Sequence, residues 1–227
     1  MRIVWVLVVF MGCFGAAGAL GAEQAAAPRT APLPDMSAIA KALGVPCSHC
    51  HVAGDFVSDA NPKKGIARQM LGMTAEINSR IEAATGRPAG GAATVRCATC
   101  HKGLPVPRTL TETLVATITS KGNDAVADEY RRLRRQFYGR DTFDFSEQEF
   151  VSFCFRLAEG RPDAAIPLIQ AHLEFNPQSA NAYIALSRAY VTKRDTAAAI
   201  TALRKAIEIE PGNGLAQGYL SQLEPRR

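Results

Sequence analysis

The sequence predicts an all-α protein in two parts, and three features of its 227 residues predict it. Apolar residues in the first half fall at helical spacing, as in Met36, Ile39, Ala40 and Leu43, and again in Ile66, Met70, Met73, Ile77 and Ile81. The second half is helical in pattern and repeats itself every 34 residues. A five-residue run, Cys-x-x-Cys-His, occurs twice in the first half, at residues 47–51 and 97–101. Hydrophobic residues make up 47% of the chain, which suits a globular protein and not a disordered one.

Residues 1–22 stand apart. Arg2 is their lone charge, residues 3–10 are densely apolar, and Gly15, Ala16, Ala17, Gly18, Ala19, Gly21 and Ala22 follow. This reads as a secretory signal peptide cleaved near Ala19 or Ala22. An uncleaved anchor is the main rival, because residues 3–22 are just long enough to span a bilayer. A lipid on Cys13 ranks last, since Phe10-Met11-Gly12 is a poor attachment sequence. Nothing later in the chain could cross a membrane. Residues 23–33 are a Pro/Ala linker.

Residues 34–107 form the first expected domain. Its first helix holds Met36 to Leu43, opened by Pro34 or Asp35 and stopped by Gly44. A second begins at Asn61-Pro62, a cap followed by a first-turn proline, and fades by residues 84–88. A loop through Gly90-Gly91 leads to the second Cys-x-x-Cys-His run.

Residues 108–227 form the second domain. From Ala180, the positions Tyr183, Leu186, Ser187, Tyr190, Ala199, Leu203, Ala206 and Pro211 follow the order of a tetratricopeptide hairpin. One period earlier Ala165, Ile169 and Pro177 match Ala199, Leu203 and Pro211, although the first helix of that unit is less regular. Residues 110–139 read as a further hairpin, and residues 214–223 as the capping helix such a stack needs.

Each Cys-x-x-Cys-His run is the attachment signature of a c-type haem. Cys47 and Cys50, and likewise Cys97 and Cys100, would form thioethers to the porphyrin vinyl groups. His51 and His101 would reach the iron from the proximal side. Two copies in an exported chain with six cysteines point to two haems. Net charge is +5, but four haem propionates would offset most of it, so nothing in the charge demands nucleic acid.

The sixth iron position decides function. A filled position makes an electron shuttle, and an open one lets small molecules bind and react. Methionine is the better candidate ligand. Met36 lies upstream of the first run, and Met70 and Met73 lie upstream of the second. Ordinary packing is the alternative for each. His49 is committed to the first motif, and His172 belongs to the repeats, where packing or surface exposure is expected.

The run from Asp35-Met36-Ser37 to Cys47-Ser48-His49-Cys50-His51 resembles the cytochrome c subunit of photosynthetic reaction centres. So do residues 55–64, the stretch Ala67-Arg68-Gln69-Met70-Leu71-Gly72-Met73, and the second motif with Lys102-Gly103 and Pro105. The resemblance covers residues 34–107 and implies units of a methionine-bearing helix, a turn and a helix with the attachment motif. It implies Met36 as axial ligand of the first haem and Met70 of the second, with Met73 a packing neighbour or the alternative to Met70. That family carries four haems and no repeat domain; this chain has one pair of motifs. The likeness therefore lends the geometry of the haem unit and not the photosynthetic role.

Other readings compete. One zinc ion on four thiolates leaves both histidines unexplained. A thioredoxin-like pair lacks its strand and helix context. Cys154, among Phe150, Phe153 and Phe155, reads as a buried apolar residue. The run Arg131, Arg132, Arg134, Arg135 and Arg140 is either a solvated helix face or a dock for an acidic partner.

The expected function is one-electron transfer through two His/Met-ligated haems in the periplasm or another exported location, with no catalytic residue. The haems should lie close together, and the repeats should dock redox partners, membrane-associated ones or another copy of the chain included. The alternatives are a two-haem peroxidase or reductase with one open iron, and a haem redox sensor. No small-molecule substrate is evident.

Overall fold

A computed structural model describes residues 35–88 and 94–224. The expected signal segment, the linker and the Gly90-Gly91 loop lie outside the described residues. The described parts belong to one compact unit beginning at Asp35. They hold ten helices and a single isolated bridge, Val52 with Asp55, so the all-α expectation is borne out.

Helix α1 (Met36–Leu43) is capped by the Asp35 carboxylate, which accepts from Ser37 N and Ala38 N at 2.9 and 3.1 Å. It ends at Gly44 with φ +66°. A single 3₁₀ turn (Cys47–His49) follows, and then α2 (Pro62–Thr85) starts behind Asn61, whose Oδ1 accepts from Lys63 N. It closes at Gly86 in the left-handed region. Helix α3 (Cys97–His101) is one short turn carrying the second motif.

Seven helices follow: α4 (Leu110–Lys121), α5 (Ala125–Phe137), α6 (Glu147–Gly160), α7 (Pro162–Phe175), α8 (Ala180–Thr192), α9 (Thr196–Ile209) and α10 (Gly214–Leu223). The expected hairpins are α4/α5, α6/α7 and α8/α9, and α10 covers α9. Helices α7 and α9 begin and end 34 residues apart. The matched pairs Ala165/Ala199 and Ile169/Leu203 are all fully buried, because a small residue at each crossing lets the helices of a hairpin approach.

Burial divides the chain sharply. Leu114, Val126, Tyr130, Leu133, Cys154 and Leu168 anchor a continuous core through α4–α8, and Ile184, Leu203, Ala206 and Ala216 build a second cluster at the carboxy-terminal end. Among the described residues 35–107, Ala42 alone is buried. The 24-residue α2 has no buried side chain.

His172 is a packing residue of the repeat core. Tyr130 Oη and His172 Nδ1 are hydrogen-bonded at 2.8 Å, and the imidazole stacks on Phe150 at 4.1 Å between centroids. Burial, and then the nearby Arg134 charge, hold it neutral, with its pKa lowered to about 4. Cys154 is buried too, which pushes its thiol up. The arginine run divides. Arg131 pairs with Glu174 and Asp128, and Arg132 with Glu129. Arg134 is buried, with its guanidinium 4.1 Å from the Tyr138 ring centre.

Candidate functional site

Local backbone geometry shapes both motifs. In the first, Cys50 N and His51 N donate to Cys47 O at 3.2 and 3.0 Å, which tightens the run into one turn. In the second, the Thr99 side chain closes the start of α3 by accepting from Arg96 N at 3.0 Å. The four motif cysteines form no disulfide with one another. No three His, Cys, Asp or Glu side chains among the described residues are grouped to hold a metal ion, so the one-zinc reading lacks its geometry.

The two histidines share one arrangement. His51 Nδ1 lies 3.1 Å from Phe56 O, and His101 Nδ1 lies 2.9 Å from Leu104 O. A carbonyl oxygen only accepts, so Nδ1 carries the proton in each ring and Nε2 keeps its lone pair. This is the tautomer and the orienting bond that a metal-ligating histidine needs.

Two apolar clefts flank α2. The first, about 110 Å³, is lined by Met36 from α1, by Cys47, Cys50 and His51, and by Lys64 and Arg68 from α2. The second, about 400 Å³, is lined by Met70 from α2, by Cys97 and His101, and by His49 and Cys50 of the first motif. Ile39, Leu43, Ala67 and Leu71 form a wall common to both. The second cleft has the size of a ligand pocket, and the first is smaller. Apolar side chains stand partly exposed beside them, Met36 by 48%, Ile66 by 57% and Met70 by 37%. Residue types, tautomers and apolar walls therefore fit a haem at each motif.

The clefts group the sequence-predicted residues unevenly. Met36 joins the first motif and Met70 the second, whereas Met73 lines neither. Cys100 does not line the second cleft; it lines a cleft of mixed character against α4, together with His101, Arg108, Glu112 and Arg140.

The sequence showed Asn61 as a helix cap, but not that it, Asn78 and Lys64 hold the motifs. Asn61 Nδ2 donates to His49 O at 3.0 Å, tying the first motif to the start of α2. Asn78 donates to Val95 O at 2.9 Å and accepts from Val95 N at 2.8 Å, tying down the approach to the second. The Lys64 ammonium donates to Phe56 O, Val57 O and Ser58 O at 3.0, 2.7 and 3.0 Å and pairs with Asp59. Arg68 and then Lys64 hold the Asp59 carboxyl low, at about 2. Two signals were available. Asn is a weak helix former in mid-helix, and a lysine in a first turn opposes the helix dipole.

The second motif also contacts both neighbours. Gly103 N donates to Ala42 O of α1 at 2.7 Å, and Thr142 Oγ1 donates to Lys102 O at 2.7 Å.

Residues 35–136 match the family described as photosynthetic reaction centre cytochrome C subunit, and residues 156–223 match the tetratricopeptide repeat. Cytochrome c-554 of Chloroflexus aurantiacus is 39% identical over 67 residues, which are 30% of this chain and 16% of that protein. The photosynthetic reaction center cytochrome c subunit of Rubrivivax gelatinosus is 36% identical over 72 residues, 30% of this chain and 17% of its own. That of Thermochromatium tepidum is 36% identical over 62 residues, 27% and 14%. The matched region thus spans under a fifth of the length of these curated relatives. Both resemblances read from the sequence are borne out: the chain joins a reaction-centre-cytochrome-like segment to a tetratricopeptide segment. The first match continues to residue 136, through α4 and into α5, beyond the residues 34–107 that carried the likeness.

Proposed function

We propose that this chain is an exported electron carrier with two covalently attached c-type haems, one at each Cys-x-x-Cys-His run. One observation carries the reading. Each motif's histidine has its Nδ1 proton engaged by a backbone carbonyl and shares an apolar cleft with a methionine from a separate helix. Similarity to cytochromes over residues 35–136 supports it.

Cys47 and Cys50, and Cys97 and Cys100, supply the thioether sulfurs. His51 and His101 would offer Nε2, and Met36 and Met70, which line the same clefts, would offer thioether sulfur. A haem bound there supplies a one-electron iron couple. Ile39, Leu43, Ala67 and Leu71 line both clefts, so the two sites lie side by side against one apolar wall. With a methionine presented at each cleft, the residues favour capped irons and electron transfer over substrate chemistry. Residues 34–107 serve as the redox part, and the repeat stack of residues 108–227 as the surface that holds redox partner proteins. Residues 1–22 direct export to the periplasm, cleaved or retained as an anchor. No helix among the described residues is long and apolar enough to cross a membrane. The photosynthetic role in the relatives' names is not carried over.

Two measurements on the purified full-length protein test this. Intact mass should show two added haems, and the reduced protein should refuse carbon monoxide. A mass without porphyrin overturns the proposal, and carbon monoxide binding moves it to an enzyme with an open iron.

A further inference from the structure

The orienting bonds of the two histidines differ in one respect. Phe56 O, which accepts from His51 Nδ1, also accepts from the Lys64 ammonium at 3.0 Å. Among the described residues no cation is hydrogen-bonded to Leu104 O, the acceptor for His101. Lys64 is well shielded, with 14% of its side chain exposed, and its chain lines the first cleft beside His51. The second cleft's lysine, Lys63, is exposed and lies 3.4 Å from His49 Nδ1, away from His101's acceptor.

We propose that Lys64 is a positioning residue that acts through His51 and raises the reduction potential of the first haem. The inference rests on the two-haem reading.

Two effects act in the same direction. An acceptor on Nδ1–H raises the basicity of the metal-bound nitrogen, and a more basic ligand favours the oxidised iron. An ammonium that shares the acceptor withdraws electron density from the carbonyl and weakens that push. Its charge also lies in the cleft lining beside His51, in a part-buried setting where screening is incomplete, and oxidation of an iron held there would add a further positive charge. Asp59 offsets this only in part, because its single carboxylate is shared between Lys64 and Arg68, both of which line the first cleft.

Redox titration of the haem-loaded full chain tests the inference, with the first haem identified as the one whose midpoint Met36→Ala moves. Lys64→Met should shift that haem's one-electron equilibrium at least tenfold towards the oxidised form, about 59 mV lower. The second midpoint should stay in place. Lys64→Arg should restore most of the shift, and Lys63→Met should cause none. Should Lys64→Met fail to fold, Asp59→Asn gives the opposite sign: an uncompensated Lys64 should raise the first midpoint. Equal movement of both midpoints, or none in either variant of a protein that still holds two haems, overturns the role of Lys64 alone. A chain with no covalent porphyrin overturns the two-haem reading and this inference with it.

Discussion

Asn78 grips Val95 by both backbone groups, donating from Nδ2 at 2.9 Å and accepting at Oδ1 at 2.8 Å. The amide of one side chain thus imitates a strand partner, although the described residues contain no sheet. It fixes the chain two residues ahead of Cys97 to the middle of α2. Replacement by Ala leaves a part-buried N–H and C=O unpaired, at a cost of about 1–3 kcal/mol. Replacement by Asp keeps the acceptor but sets a second carboxylate oxygen against Val95 O, so its cost should be no smaller than that of Ala. Urea unfolding of the haem-loaded variants checks the order.

Ligation by methionine makes a positional prediction. Met36→Ala and Met70→Ala should each open one iron, so that the reduced variant binds one equivalent of carbon monoxide. Met73→Ala should bind none, because Met73 lines neither cleft. If Met73→Ala binds the gas and Met70→Ala does not, the second ligand lies three residues further along α2.

Gly44 lies at φ +66°, and a Cβ there would run into the backbone oxygen of Gly103. Gly44→Ala should therefore cost the left-handed strain, about 1–2 kcal/mol, and in addition force α1 away from the second motif. The bond from Gly103 N to Ala42 O would break with it. Gly54 has φ +79° with nothing near its missing Cβ, so Gly54→Ala should show the strain alone. Comparing the two variants by urea unfolding separates the clash from the conformational cost.

His172 predicts an acid-sensitive repeat core. Its folded pKa is lowered to about 4 by burial, against the ordinary 6.5 of an unfolded chain. The unfolded state therefore binds the extra proton first as pH falls. The contribution is full above about pH 6.5, falls steadily below it and is spent near pH 4, roughly 3 kcal/mol in all. Urea unfolding followed by circular dichroism at pH 7 and pH 5 should show the loss, and His172→Gln should flatten it. Asp59 does not confuse the comparison of pH 7 with pH 5, since its contribution is lost only as pH falls through its ordinary 3.8 towards about 2.

Much of this molecule was legible in its residues. The Asp35 and Asn61 caps, the Gly44 stop, the fading of α2 by Gly86 and the 34-residue offset of α7 and α9 all rest on local chemistry or strict periodicity. The two attachment motifs are legible for the same reason: five consecutive residues hold every group that defines them. The arginine run was less legible. Its spacing did not reveal that Arg134 turns inward against Tyr138 while Arg131 and Arg132 pair outward, because the aromatic ring and the carboxylates come from other turns and other helices.

What the sequence by itself determined was the helical class, the repeat, the motifs and the set of methionines near them. Only the tertiary structure decided which methionine shares a cleft with which histidine, since 3.6-residue periodicity puts Met70 and Met73 on one stripe and cannot rank them. It alone brought Lys64 and His51 to one carbonyl, and Asn78 to Val95. Backbone carbonyls and amides occur at every position, so no residue type marks the one that a folded chain will present.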